Sequence, residues 1–478
     1  VNNEQSGGCT RLADGELSLV APSSQSLWAP HETADNKLGD MSMSNAVTTS
    51  RTLGKTISDD TALNWLSNAH VPEIVQDVTS DDGVSCDDLD REVYCLQGFP
   101  IDSIGMQEVM PRLLAAMVPH SSYLLSTPNL NFLAASQSDA GFRESLRTSD
   151  LCPPDGIALV WIARLLGIPI KERVAGSDIF EAFVTREKLQ RPIRVFLFGG
   201  AEGVAAMAAE VLNKNATGVI CVGWINPGFG SVEEMSHSHI INAINASGAD
   251  LLLVALGAAK GQAWLQRNHH IIQVPVRSHL GATIAFVAGT IKRAPTTVRK
   301  LGLEWLWRIK EEPVLWRRYT KDVSALSALM VTRVLPLAFV SLLARAKRAV
   351  KQRKCRTMVT STAKEAKVSL LGSVSASDVP ALRATFKQVI KRTDHLNVDL
   401  SGLNDIDARA LGLLMMLRKQ MISKYGSFKL SNPPVFIRIL FRLHGIGDLL
   451  KHTTDLESHH SQGSVRLLKT DLSIQTNV

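Results

Sequence analysis

Apolar residues show no sustained period over residues 1–88, where Ser, Thr, Asp, Asn and Gly dominate and aromatics are few. Such a stretch buries too little to offset its chain entropy, so a disordered acidic arm is expected over residues 1–90. A short helix over Asp59–Ala69 is its one helical candidate. From Val93 the pattern changes to short apolar runs alternating with amphipathic stretches. The spacing predicts helices over Gln107–Met117, Asn131–Leu146, Ile157–Leu166, Val204–Leu212 and Ile240–Ser247, with a further helix around Trp264. It predicts strands over Tyr123–Ser126, Ile193–Phe198, Val219–Val222, Asp250–Ala255 and Gln273–Val276. Strands alternating with helices argue for a parallel, Rossmann-like α/β domain over residues 91–290.

Beyond it, Val323–Leu343 is nearly long enough to span a bilayer, but Arg333 sits at its centre and Pro336 interrupts it. An interfacial, broken amphipathic helix is the preferred reading. A second alternating pattern runs over residues 365–452, with strands at Val368–Leu371, Leu396–Gly402 and Phe428–Leu430 and helices at Val379–Lys391, Ala408–Lys424 and Val435–Leu443. This is a small, separate α/β module. Residues 453–478 read as a flexible tail.

Several polar groups stand where such a sheet would present them. The turn Thr127-Pro128-Asn129 follows an expected strand, at the end where open α/β sheets place ligand-binding groups. Asp155 lies between Pro154 and Gly156, ahead of a helix, so it suits either an N-cap or a carboxylate presented at the mouth of a cleft. Arg173 and Asp178 suit a surface ion pair or a pair in that cleft. Gly199-Gly200 between a strand and a helix would let backbone N–H groups approach a phosphate, although close helix–strand packing explains the pair equally well. His279 stands just ahead of the Gly281 turn, where it would face the core, the surface or the cleft.

Charge sharpens the picture. Residues 1–90 hold 15 acidic and 4 basic side chains, whereas residues 290–356 hold 17 basic and 4 acidic. The basic segment interleaves Trp305, Trp307, Trp316 and Tyr319 with arginines and lysines and carries no nucleic-acid recognition motif. An anionic membrane surface suits it, and Arg308, Arg317 and Arg318 are candidates for holding a diphosphate. The six cysteines are scattered, without metal-ligand spacing, which fits a reducing cytoplasm. Residues 1–20 have neither the basic nor the apolar region of a signal peptide.

In order and spacing TPN (127–129), PDG (154–156), ERVAGSD (172–178), KRAP (292–295) and LGLEWLWRIKEEP (301–313) resemble the WecG/TagA/CpsF glycosyltransferases. The resemblance covers roughly Val93–Tyr319. It implies inverting, metal-independent transfer from a UDP-sugar to an undecaprenyl-diphosphate-linked saccharide at the cytoplasmic face of the bacterial inner membrane, with no cofactor and no bound metal. It implies that Thr127 and Asn129 line the donor-sugar site, that Arg173 anchors the donor or its departing diphosphate, and that Asp178 braces the loop. Gln262 would stand in for a family glutamine whose own place is taken by Gly261, and Ala285 replaces a family aspartate. Over residues 365–452, DLSG, IDARALG and LHGIGDLL resemble a STAS domain. The position of the serine that regulatory STAS domains phosphorylate is Arg409 here, so a fixed protein-binding or self-association surface is expected instead.

The resulting expectation is a peripheral membrane glycosyltransferase of surface or exopolysaccharide synthesis. Asp155 is its general base, Thr127, Asn129, Arg173, Gly199, Gly200 and Gln262 meet the donor, and Arg308, Arg317 and Arg318 meet the acceptor or diphosphate. Residues 291–356 form its membrane-associating appendage. The alternative is a membrane-docked scaffold that has lost its chemistry, and its support is Gly261 and Ala285.

Overall fold

A computed structural model describes residues 87–186, 191–215, 218–350, 355–362 and 365–451. Apart from residues 87–90, the expected acidic arm lies outside them, as do the helix over Asp59–Ala69 and the tail at 453–478.

The described chain opens on a hairpin of β1 (Val93–Leu96) and β2 (Phe99–Asp102), followed by α1 (Met106–Ala116), β3 (Tyr123–Leu125), α2 (Leu130–Ser138), α3 (Ala140–Arg147), α4 (Ile157–Leu165) and α5 (Gly176–Val184). Next come β4 (Ile193–Gly199), α6 (Val204–Asn215), β5 (Val219–Ile225), α7 (Ser238–Ala246), β6 (Leu251–Ala255), α8 (Ala258–Arg267), β7 (Val276–His279) and α9 (Thr283–Val287). The appendage supplies α10 (Thr296–Lys300), α11 (Glu304–Glu311), α12 (Trp316–Leu329) and α13 (Leu335–Val350), the last two joined by a π-helical turn. The C-terminal module holds β8 (Arg356–Ser361), β9 (Glu365–Val374), α14 (Val379–Val389), β10 (His395–Ile406), α15 (Ala408–Ser423), β11 (Ser427–Ser431) and α16 (Val435–Leu443).

Five strands form the expected parallel sheet, in the order β3-β7-β6-β4-β5. Apolar cores cover both of its faces, as a parallel sheet requires. Four expectations change. The helix expected over Asn131–Leu146 is two helices, because Asp139 takes extended angles and its carboxylate accepts the Phe142 N–H at 2.9 Å to start the second. The strand expected over Gln273–Val276 begins instead at Val276, after Pro275, which has no N–H to give a ladder. The β1–β2 hairpin was not anticipated, since its turn, Gln97-Gly98 with φ of 46° and 111°, lacks an Asn or Asp signal. The segment expected as a broken helix is one helical run, Pro313–Ala346, the one run among the described residues long and apolar enough to cross a membrane.

The module's sheet runs β11-β10-β9-β8, with β8 antiparallel at one edge and beginning well ahead of residue 365. Helix α15 is buried almost throughout. A helix apolar all round needs cover on both faces. Its own sheet covers one and the β1–β2 hairpin the other, so hairpin and module share one apolar core.

Candidate functional site

The carboxyl ends of β3, β4, β6 and β7 form one edge of the sheet, and the segment before α4 comes to the same edge. Leu151 bridges to Leu125, and the Ser126 N–H donates to the Leu151 carbonyl at 2.9 Å. That short extended pairing delivers Pro153-Pro154-Asp155 beside Thr127-Pro128-Asn129, where the Asp155 N–H donates to the Pro128 carbonyl at 2.9 Å. Gly156 is needed there, because a Cβ on it would stand 3.2 Å from the Asn129 Cα. Gly156 is also the N-cap of α4, and its backbone makes the cap without a side chain. The Asp155 carboxylate is therefore not spent on capping.

Around that carboxylate the structure collects a charged group. Arg173 Nη1 lies 3.7 Å from Asp155 Oδ1 and 3.0 Å from Glu304 Oε2, while its Nη2 donates to Asp178 Oδ2 at 3.1 Å. Asp178 in turn pairs with Arg293 and, at 2.8 Å, with Arg299. Asp155 is 24% exposed. Burial pushes its carboxyl up to about 7; Arg173 opposes the shift, Glu304 and Asp178 add to it, and a hydrogen bond from the Gly176 backbone opposes it. A carboxyl held there can take up a proton near neutrality.

Thr127 is buried and packs where a Cβ on Gly176 would come within 3.0 Å of its Oγ1. Asn129 caps α2, its Oδ1 accepting the Asn131 and Phe132 N–H groups at 3.1 and 3.3 Å, so only its NH2 is left to offer a ligand. Gly199 and Gly200 both have positive φ, and a Cβ on Gly199 would meet the Ala255 carbonyl at 2.7 Å. This pair carries the turn from β4 into α6, against the end of β6, as well as opening the edge of the sheet.

Gln262 departs from expectation. It is fully buried and its Nε2 donates to Ser126 Oγ at 2.9 Å, so it braces the floor of the cleft from inside and lines no open surface. Helix α8 turns it inward, and its place in the sequence does not carry that direction. Gly261 has its own packing reason: a Cβ there would stand 2.2 Å from Cδ2 of His279.

Among the appendage arginines, Arg308 pairs with Glu312 and lies 5.2 Å from the centre of the Phe286 ring, with Arg293 at 5.9 Å from the same ring. Arg317 and Arg318 are exposed, the latter over Tyr319. Sequence reasoning missed Glu304, Arg293 and Arg299. Arg293 and Glu304 stand in the KRAP and LGLEWLWRIKEEP motifs, but nothing local gives them or Arg299 a role apart from an ordinary charge in a basic segment. It also missed Trp161 and Leu165, exposed one helical turn apart on α4. The appendage flanks that helix at both ends, through Gly302 against Ile157 and Arg345 donating to the Leu166 carbonyl at 2.7 Å. Among the described residues no group of three or more His, Cys, Asp or Glu side chains stands together to hold a metal.

The glycosyl transferase WecG/TagA/CpsF family model matches residues 94–338, and a model described as Mlab, STAS domain matches residues 357–451. Two relatives are N-acetylglucosaminyldiphosphoundecaprenol N-acetyl-beta-D-mannosaminyltransferases. The one from Bacillus spizizenii is 29% identical over 193 residues, 40% of this chain and 72% of its own length. The one from Bacillus subtilis is 26% identical over 195 residues, 41% of this chain and 74% of its own. The solved structure of the anti-sigma factor antagonist SpoIIAA in its unphosphorylated form is 20% identical, covering 23% of this chain and 99% of that one, with a TM-score of 0.19.

Proposed function

The chain belongs to the WecG/TagA/CpsF family of glycosyl transferases, and from that premise we propose that it moves a sugar from a UDP-sugar to an undecaprenyl-diphosphate-linked saccharide, inverting the anomeric centre without a metal. Its setting is bacterial exopolysaccharide or surface-polysaccharide synthesis at the cytoplasmic face of the inner membrane. The relatives from the two Bacillus species support the acceptor class through the substrate in their names.

The observation that carries the reading is the carboxylate of Asp155, left out of helix capping, paired with Arg173 at the sheet edge and tuned upward by burial. In this reaction the acceptor hydroxyl attacks the anomeric carbon as the bond from that carbon to the UDP oxygen breaks. Asp155 takes the hydroxyl proton, and UDP departs with the bonding pair. Arg308, Arg317 and Arg318 meet the diphosphate charge of the leaving group or the lipid acceptor, and Thr127 and the Asn129 amide hold the donor sugar. The exposed apolar side chains Trp161 and Leu165 of α4 and Leu335, Phe339 and Leu342 of α13 rest on the bilayer, with the arginines of α12 at the headgroups.

The test is transfer from a panel of UDP-sugars to a lipid-diphosphate-linked acceptor, with chelator present, for the native chain and for Asp155→Ala. Chelator-resistant transfer from one donor, lost in the variant, is the expected result. No transfer from any donor, with membrane binding intact, favours the scaffold reading that rests on Gly261 and Ala285.

A further inference from the structure

The C-terminal module grips the transferase domain at the segment that leads to Asp155. In α15, Arg409 donates from Nη1 to the Val93 carbonyl at 2.8 Å and from Nη2 to the Arg91 carbonyl at 3.2 Å. One turn on, Gly412 presses on β1 so closely that a Cβ would stand 2.2 Å from the Val93 oxygen. Further along, Met416 Sδ accepts from Arg91 Nη1 at 3.2 Å, Arg418 pairs with Glu144 at 2.5 Å, and Lys419 pairs with Asp88 at 2.9 Å and Asp150 at 2.5 Å. From the loop after α16, Asp448 holds Arg147 at 2.6 and 3.0 Å.

These contacts continue inward. Arg91 is nearly enclosed and pairs with the fully enclosed Asp102 at 2.8 Å, while its Nη1 donates to the Ser149 carbonyl at 2.9 Å. Asp102 Oδ2 accepts the Cys152 N–H at 2.6 Å. Between Cys152 and Asp155 stand only Pro153 and Pro154. Proline fixes its own φ and restricts the residue before it, so few soft torsions separate Cys152 from the carboxylate. A displacement at Cys152 therefore reaches Asp155 little damped.

We propose that the C-terminal module is an internal partner of the transferase domain that holds the base-bearing segment in place through Arg91, Asp102 and the Cys152 N–H. Asp102 is a positioning residue for the reaction. The face of α15 around Arg409 and Gly412, where an outside protein would be expected to bind, is taken up within the chain. The inference rests on the reading of Asp155 as the base.

The test is made on the full chain with two variants. Gly412→Leu keeps a good helix former in α15 but drives a side chain into the β1 backbone, which parts the module from the hairpin. Asp102→Asn leaves the module docked and weakens the inner link. Backbone amide exchange and steady-state kinetics are read together. In Gly412→Leu the amides of Val93–Leu96 and of Leu151, Cys152 and Asp155 exchange faster, those of β9 and β10 stay protected, and kcat falls about tenfold to a hundredfold with the donor KM little changed. Asp102→Asn gives the faster Cys152 exchange and the kcat loss without the change at Val93–Leu96.

The proposal is overturned if Val93–Leu96 loosens while the amides of Leu151, Cys152 and Asp155 and kcat stay native. It is equally overturned if Gly412→Leu alters no amide of the hairpin, or if Asp102→Asn leaves Cys152 exchange unchanged. The exchange measurements need no turnover. A native chain inert toward every donor therefore defeats the transferase reading and leaves the coupling of module to loop decidable.

Discussion

Glu304 and Asp155 meet on one nitrogen atom, Nη1 of Arg173, at 3.0 and 3.7 Å. One carboxylate belongs to the appendage and the other to the loop before α4, so the appendage enters the electrostatics of the cleft directly. The proposed base must be ionised to act. With its carboxyl at about 7, kcat/KM should fall about tenfold per pH unit below that value. Glu304 raises the Asp155 value, and removing its charge also leaves Arg173 more free to favour the carboxylate. Glu304→Gln should therefore move the acid limb of the pH–rate profile to lower pH. An unmoved limb would separate Glu304 from the base.

The same burial makes the Asp155 charge costly to the fold. The folded carboxyl keeps its proton up to about pH 7, whereas an unfolded aspartate releases it near pH 4. Between these values the native state binds more protons, so this group lowers stability as pH rises through the window. Asp155→Asn should consequently be more stable than the native chain at pH 8, by about 2–4 kcal/mol, with the gap closing toward pH 4. Denaturant unfolding at both pH values measures it. A stabilised but inactive variant is the mark of a group held at a functional site.

Gly261 and His279 are packed against one another, with 2.2 Å between the ring and the place of a Cβ. The ring is buried, neither of its nitrogens has a side-chain or backbone partner from another residue among those described, and burial pulls its value down to about 4, so it is neutral. Gly261→Ala should cost about 1–3 kcal/mol by overpacking, despite the helix preference of alanine. Combining it with His279→Ala should remove most of that increment. Equal costs in both backgrounds would show that the ring is not what excludes a side chain at 261.

The exposed apolar side chains of α4 and of α13 predict where lipid is met. Trp161 is 62% and Phe339 63% exposed, on helices from different parts of the chain. Trp161→Asp and Phe339→Asp should each lower binding to anionic vesicles by at least about tenfold, since each large side chain contributes roughly 1.5–3 kcal/mol when buried. Solution stability should change little. Vesicle co-sedimentation at fixed ionic strength separates this loss from the charge contribution of Arg317 and Arg318.

The alternation of strands and helices, the turn at Thr127–Asn129, the proline–aspartate–glycine before α4 and the basic aromatic segment were all legible in order along the chain. Each is a local pattern: period, turn chemistry and composition act over a few residues, and the sheet follows from them. The direction of a side chain and the identity of its distant neighbours do not. Gln262 points inward because of how α8 lies on the sheet, and Asp155 is left out of the cap because Gly156 makes it. Glu304 reaches Arg173 across 131 residues. Arg409 reads as a surface arginine until the hairpin, whose turn carries no strong signal, covers α15. Those relationships come from packing between elements far apart in sequence, where shape and burial choose the partner, and only the folded chain could decide them.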